Sequence, residues 1–240
     1  MRRALLSLSA LALFATSAAA GGGINLSWSD CGPYGALSRN LSCNTTAGAQ
    51  VMVGSGISPA PMSQLVALTA MVVLQTDESS LSPWWEFAPL GCRAGSLFAF
   101  FDYTAGPFSC ADPWAGNAQG GFTFVQGLGA PNRAEIRVTC AVPAPVALDD
   151  VSEAYFFTLA FNNAHMTGAG ICPGCTDGAC FTLSSLLLSQ AGGVGDLTLA
   201  TPLLRNFVLW QGGGAGGLGT CSGATPTRAT TWGAVKSLYR

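Results

Sequence analysis

The sequence predicts an all-β fold, an antiparallel two-sheet β-sandwich of jelly-roll-like topology that is held together by disulfides. Three observations lead to this prediction. About ten short apolar segments alternate with period two or are rich in β-branched and aromatic residues, as strands are. Glycine and proline clusters separate them, for example at 54–56, 127–131 and 192–193. Nine cysteines occur in a chain of 240 residues. Short strands with turn signals between them are typical of sandwiches and barrels.

The predicted strands follow one another through most of the chain. In the first predicted strand, apolar and polar residues alternate with period two, and the segment 155–161 is the strongest aromatic strand. The leucine run 186–188 is also compatible with a helix, whereas only 82–87 and 232–240 have a helical pattern elsewhere. In chain order, the predicted strands are 24–28, 50–54, 65–75, 96–103, 122–125, 134–139, 155–161, 180–190, 196–199 and 206–210.

The first twenty residues have the layout of a secretory signal peptide. Arg2 and Arg3 precede an apolar stretch at 4–16, and small residues at 17–20 are those that a signal peptidase reads. We expect cleavage after Ala20 and a secreted, periplasmic or outer-surface location. The longest later apolar run, 65–74, is too short to cross a bilayer. No transmembrane segment is therefore predicted in the mature chain.

The remaining chain is predicted to contain one domain. The β-sandwich domain covers 21–211, a glycine-rich linker covers 212–224, and a tail covers 225–240. Thr231 is a suitable N-cap for a short helix in this tail. We interpret the tail as a sorting or docking signal.

Charge is scarce in this protein. Charged residues make up 9%, and the formal net charge is −2. Removing the leader with its two arginines leaves 8 basic against 12 acidic residues, a net charge of −4. A chain with this balance lacks the basic patch that neutralises phosphates, so we exclude nucleic acid as a partner.

All nine cysteines follow the leader, and in an exported protein they predict disulfides. Nine is an odd number, so one cysteine is left over. We expect Cys31 to pair with Cys43 and Cys92 with Cys110, because each pair brackets a turn-rich loop. The candidates are Cys31, Cys43, Cys92, Cys110, Cys140, Cys172, Cys175, Cys180 and Cys221.

A zinc site is the alternative for the densest cysteine cluster. His165, Cys172, Cys175 and Cys180 have ligand types and a C-x-x-C spacing that zinc accepts. Disulfides are favoured, because oxidation would remove the thiolates that zinc needs. A thioredoxin-like redox pair is less favoured still, since turn residues follow Cys175 instead of a helix.

No catalytic constellation stands out. His165 is the only histidine, and no nucleophile-elbow motif is present. Two groups of acids, Asp149, Asp150 and Glu153, and Asp77 with Glu78, are compatible with a hydrolase or a calcium site. We interpret them as solvated loop residues. The protein is therefore predicted to be non-enzymatic and to need no cofactor, with zinc and calcium as alternatives.

The most suggestive aromatic group is Trp84-Trp85-Glu86. Exposed tryptophans beside a carboxylate form a platform for sugar rings, which makes a carbohydrate-binding module the alternative function. The competing interpretation places one or both rings in the core beside Cys92.

Both ends of the mature chain carry short motifs. The segment 24–32 reads N-L-S-W-x-D-C-G from Asn25 onwards, Cys43-Asn44 follows, and the chain ends in W-G-x-x-K-S-L-Y-R. These residues resemble uncharacterised exported proteins of Gram-negative bacteria. The resemblance implies an envelope or extracellular setting and brings no activity with it. We expect a secreted surface, assembly or interaction component, with self-assembly or cell-surface polysaccharide as its partner, and a hydrolase as the third option.

Overall fold

The computed structural model describes residues 21–214, so the predicted signal peptide, most of the linker and the tail lie outside the described residues. Within this range the chain is mostly strands, as predicted, with two short 3-10 helices at Gly32–Tyr34 and Pro83–Trp85. The leucine run 186–188 is strand. The strands are β1 (Gly23–Trp28), β2 (Ser38–Arg39), β3 (Ala49–Ile57), β4 (Met62–Thr76), β5 (Leu97–Phe100), β6 (Gln119–Gln126), β7 (Arg133–Leu148), β8 (Ala154–Asn162), β9 (Ala179–Gln190), β10 (Leu197–Leu199) and β11 (Phe207–Trp210).

The strands form two sheets. The four-stranded sheet has the order β1-β3-β8-β5, and the seven-stranded sheet has the order β2-β11-β9-β4-β7-β6, with β10 also paired to β9. Pairing is antiparallel throughout, apart from the short parallel pair of β11 and β2. The order places β5 and β6 at sheet edges, where their outer sides have no partner strand among the described residues.

Strand β7 is longer than the sequence predicts, because it continues past two prolines. Its pairing with β4 is continuous from Arg133 to Ala141 and resumes at Val146. Proline has no N–H to donate to a ladder, so it is tolerated in a strand only where pairing is interrupted. Pro143 and Pro145 lie in this interruption.

One large hydrophobic cluster contains most of the buried apolar side chains of both sheets, and a small second cluster contains Cys180 and Leu209. Its centre is aromatic, and Trp28 of β1 meets Phe181 of β9 and Trp210 of β11 at ring-centroid distances of 5.9 and 6.0 Å. Phe161 of β8 lies 5.3 Å from Phe181. Full burial of each such side chain stabilises the fold by about 1.5–3 kcal/mol, so these contacts join the two sheets firmly.

Three disulfides have both of their cysteines within the described residues, and they are Cys31–Cys110, Cys43–Cys175 and Cys92–Cys172. The predicted pairs Cys31–Cys43 and Cys92–Cys110 are therefore wrong. The observed partners are 79, 132 and 80 residues apart, because the fold, and not the nearest loop, brings them together. Cys180 is also disulfide-bonded. Cys140 is a free, buried thiol, and Cys221 lies outside the described residues.

The described part of the predicted linker packs against the domain. The Gly214 N–H donates to the Asp77 carboxylate at 3.1 Å, and the Gly213 N–H donates to the Trp210 carbonyl at 2.9 Å. Over residues 21–214, none of the helices has the length and apolar character needed to cross a membrane.

Candidate functional site

The tryptophans of the predicted sugar platform are enclosed. Trp84 and Trp85 lie in the second 3-10 helix and are 1% and 0% exposed. Trp85 packs against Trp210 and Phe181 at centroid distances of 5.3 and 5.4 Å. The platform of Trp84, Trp85 and Glu86 is therefore a wrong prediction, because neither ring presents a face to a sugar. The core interpretation holds for both rings.

Arg93 covers the remaining face of Trp84. Its guanidinium carbon lies 3.4 Å from the ring centroid, and the side chain is fully buried. It donates to the Asn162 carbonyl on β8 and, at 3.5 Å, to the Trp84 carbonyl. Burial lowers the pKa of Arg93 to about 9, so the side chain is still charged at neutral pH. Its role is to tie the 3-10 helix to the four-stranded sheet.

The predicted zinc ligands are not available to a metal. Cys172 and Cys175 are bonded to Cys92 and Cys43, and Cys180 is disulfide-bonded too. The Nδ1 atom of His165 lies 2.9 Å from the Gly170 carbonyl oxygen. Zinc binds thiolates, which disulfide formation removes. The zinc alternative is therefore wrong, and the C-x-x-C pair serves as a junction between two other segments.

The acidic residues serve separate local roles. Asp149 accepts the N–H groups of Val151 and Ser152 at 2.9 and 2.6 Å, and these bonds lower its pKa. Asp77 accepts a hydrogen bond from the Gly214 N–H, whereas Glu153 accepts hydrogen bonds from side chains of other strands. Between residues 21 and 214, no three acidic, histidine or cysteine side chains gather closely enough to hold a metal. The structure thus gives no support to the calcium alternative.

The N-L-S-W-x-D-C-G segment begins with a fully engaged asparagine. Asn25 donates to Glu153 at 2.8 Å and accepts the N–H groups of Leu204 and Arg205 at 2.8 and 3.1 Å. Glu153 also accepts from Ser55 at 2.6 Å. These bonds connect β1, β3, the turn before β8 and the segment before β11, so Asn25 is a structural cross-link.

The remaining polar residues of this segment surround the Cys31–Cys110 disulfide. Tyr155 donates to Asp30 at 2.7 Å, and Ser109 donates to the same carboxylate at 2.5 Å. Burial, together with the bond to Asp30, raises the pKa of Tyr155 to about 12. Tyr155, Ser109 and Asp30 thus form hydrogen bonds with one another. The structure thus gives the motif, which sequence reasoning treated only as a resemblance, a role in fastening chain segments.

Two phenylalanines on β5 stand in contrast to the buried tryptophans. Phe98 and Phe100 are 42% and 50% exposed, and their rings stack at 6.3 Å with an interplanar angle of 24°. Their cross-strand partners on β8, Ala160 and Thr158, are small. Because these neighbours are small, they do not cover the two rings, which stay exposed on the outer face of the four-stranded sheet.

A cavity of about 390 Å³ lies beside Phe100, and we call it the Phe100 cavity. Asp102 contributes a carboxylate that accepts from Thr104 through N–H and Oγ1 at 2.9 and 2.6 Å. These bonds lower the pKa of Asp102, which is therefore ionised at neutral pH. The cavity thus combines an aromatic ring with a fixed negative charge. It is lined by Ser29, Val51, Val53, Phe100, Asp102, Tyr103, Gly106, Pro107 and Thr158.

Sequence reasoning identified 96–103 as an aromatic strand and missed the cavity. The alternation of Phe98 and Phe100 was the available signal, since side chains two apart share a face. Comparison with known proteins adds no family to this description, because no protein-family model and no curated protein matches the chain.

Proposed function

We propose that this protein is an exported, non-enzymatic surface or assembly component that works by binding, and that its two sheets form a jelly-roll-like sandwich. The observation that carries the proposal is the exposed pair Phe98 and Phe100 beside the Phe100 cavity. Apolar rings next to a concave site of a few hundred Å³ are typical of binding sites. The leader-like segment 1–20 and the disulfides support export, because disulfides persist in oxidising compartments.

In-cell photo-crosslinking tests this proposal. A photoreactive phenylalanine replaces Phe100 in one variant and Val194, which is exposed on a turn of the other sheet, in a matched control. We expect adducts at position 100 and few at position 194. Mass spectrometry of the adducts then identifies the partner. Equal labelling at both positions, or none at position 100, would refute the Phe100 cavity as the contact surface.

Carbohydrate binding is the second candidate, now placed at the Phe100 cavity. The specific observation in its favour is that Asp102 and Phe100 border the same cavity. A phenyl ring packs on the C–H face of a sugar, and an ionised carboxylate accepts hydroxyl hydrogen bonds. Ser29 and Thr158 add hydroxyl groups to the lining. The ligand would be a neutral saccharide.

Saturation-transfer NMR with cello- and chito-oligosaccharides tests this second candidate. Tryptophan fluorescence is a poor reporter, because Trp84 and Trp85 are enclosed. We expect transfer to the sugar protons, with loss in Phe100→Ala and Asp102→Asn. Leu90→Ala, at a fully exposed apolar residue, is the control and keeps the signal. Transfer that survives both cavity substitutions would exclude this site.

A further inference from the structure

Strand β6 is the last strand of the seven-stranded sheet in the described part of the chain, and β5 of the other sheet lies near it without pairing to it. It pairs with β7 over eight consecutive positions, from Gln119↔Ala141 to Gln126↔Ala134, with no bulge. No strand of the described chain pairs with its other side. Its sequence, QGGFTFVQ, contains no charged residue and no proline. Natural edges usually carry such features, because a regular uncharged edge is a template for another strand.

Space for incoming side chains lies next to this edge. A cavity of about 430 Å³ is lined by Phe122, Thr123 and Phe124 together with residues of the 87–95 loop, none of them charged. A second cavity, of about 480 Å³, begins at Gln119 and reaches the proline interruption of β7. Strand addition uses main-chain hydrogen bonds for affinity and flanking pockets for alternate side chains.

The strand is complementary to itself. Side chains alternate, so Thr123 and Val125 share one face with Gly121, and Phe122 and Phe124 share the other face. When two copies meet antiparallel about a two-fold axis at Thr123, Phe122 faces Phe124 of the other copy. Val125 then faces Gly121, where the space for a Cβ is open. Each large residue thus meets a small one or an aromatic partner, and the two threonines face each other.

We infer that β6 pairs with β6 of a second copy of this chain, which joins the two seven-stranded sheets into one continuous sheet. The uncharged strand brings no like charges into opposition at the junction, and directly opposite like charges are what destabilise cross-strand pairs. The interface is isologous, since the same strand is used by both copies. None of the β6 residues lines the Phe100 cavity, so this inference and the proposed function can fail independently.

Sedimentation velocity of the mature protein across a concentration series tests the pairing. We expect a monomer–dimer equilibrium in the wild type. Thr123→Lys places two lysines opposite each other at the two-fold axis, and we expect it to weaken dimerisation at least tenfold. Thr139→Lys puts the same charge on an exposed position of β7, one strand away from the edge, and serves as the control.

A charge-pair rescue tests the register itself. Val125→Lys alone weakens the dimer, whereas Val125→Lys combined with Gly121→Asp restores it, because each lysine then faces an aspartate of the other copy. Circular dichroism confirms that each variant is folded. Val125 is 47% exposed, so Val125→Lys keeps the test available even if Thr123→Lys prevents folding. A wild type that stays monomeric up to about 0.1 mM, or a dimer unaffected by Val125→Lys, would overturn the inference.

Discussion

The two strand edges β1 and β6 differ in how their backbone is satisfied. All six residues of β1 are buried, and the segment 201–205 runs along its outer side. Ile24 and Leu26 donate to the Thr201 and Arg205 carbonyls, each at 2.9 Å, and Ile24 accepts from Leu203 at 3.0 Å. None of the β6 residues is fully buried. One edge is thus covered by the chain's own backbone, and the other has no paired strand on its outer side among residues 21–214.

The difference between the two edges shows which additional hydrogen bonds are needed when a segment without regular secondary structure covers a strand. The covering segment has backbone N–H groups of its own, and Asn25 accepts those of Leu204 and Arg205. Arg205 in turn donates to the carbonyls of Gly32 and Gly35. Gly32 has a positive φ of 36°, and a Cβ there would lie 2.2 Å from the Glu153 carboxylate. Covering β1 therefore requires the N-L-S-W-x-D-C-G residues, whereas β6 requires no such set.

Removing the disulfide at the covered edge gives the largest expected effect. Cys31 and Cys110 close a long loop, with partners 79 residues apart. We expect Cys31→Ser with Cys110→Ser to lower the free energy of unfolding by about 4 kcal/mol, because the unfolded chain gains freedom. Urea unfolding measures this change. A loss below about 1 kcal/mol would mean that the hydrogen bonds alone hold this edge.

Asn25→Ala comes next in size. It leaves the partly buried N–H groups of Leu204 and Arg205 and part of the Glu153 carboxylate without a hydrogen-bond partner. We expect a loss of about 2–4 kcal/mol in the free energy of unfolding. Asn44→Ala, at an exposed residue, is the control, and we expect it to change stability by less than about 0.5 kcal/mol. Equal effects at the two asparagines would contradict the structural role of Asn25.

The free thiol beneath the β6 edge gives a smaller, pH-dependent effect. Cys140 pairs with Gly120 of β6, and burial raises its pKa from 9.0 to about 12. The unfolded thiol ionises first, so its contribution to stability is complete below pH 9 and is lost as the pH rises toward 12. At pH 10 we expect a loss of about 1 kcal/mol relative to pH 8.

Urea unfolding of the wild type and of Cys140→Ala at both pH values isolates this contribution. The variant keeps the pH dependence of all other groups and lacks that of the thiol. Native-state alkylation followed by peptide mapping adds an independent check, since we expect Cys140 to react only after unfolding. Rapid alkylation in the native state would show that β6 opens readily.

Val125→Ser on the β6 edge has the smallest expected effect on folding. The side chain is 47% exposed, so its removal costs little buried apolar area. We expect the free energy of unfolding of the monomer to change by less than about 0.5 kcal/mol in thermal or urea unfolding. A large destabilisation would mean that β6 is already covered in the monomer.

The strands were predictable from the sequence because side-chain alternation is a local property. Each of the ten predicted segments overlaps a strand of the structure, although the segment 96–103 is strand only over Leu97–Phe100. What the sequence did not predict depends on distant contacts. Cys43 meets Cys175 across 132 residues, and the two-residue strand β2 exists only through its pairing with β11.

The candidate site was less predictable than the fold. Trp84-Trp85 and Phe98/Phe100 are both aromatic pairs in the sequence. The tryptophans are buried because a 3-10 helix turns them toward Trp210 and Arg93, and the phenylalanines are exposed because alternation puts them on the outer face. The amino-acid composition does not distinguish the two aromatic pairs, because the exposure of the rings depends on the direction in which each element turns its side chains.

The interlocking of the disulfides has a consequence for proteolysis. Cys31–Cys110 and Cys43–Cys175 overlap along the chain. A single cut at any peptide bond between residues 31 and 175 therefore leaves two pieces that are still covalently joined. A protein cut once by a protease in this range would migrate as one species on a non-reducing gel and separate into fragments only after reduction.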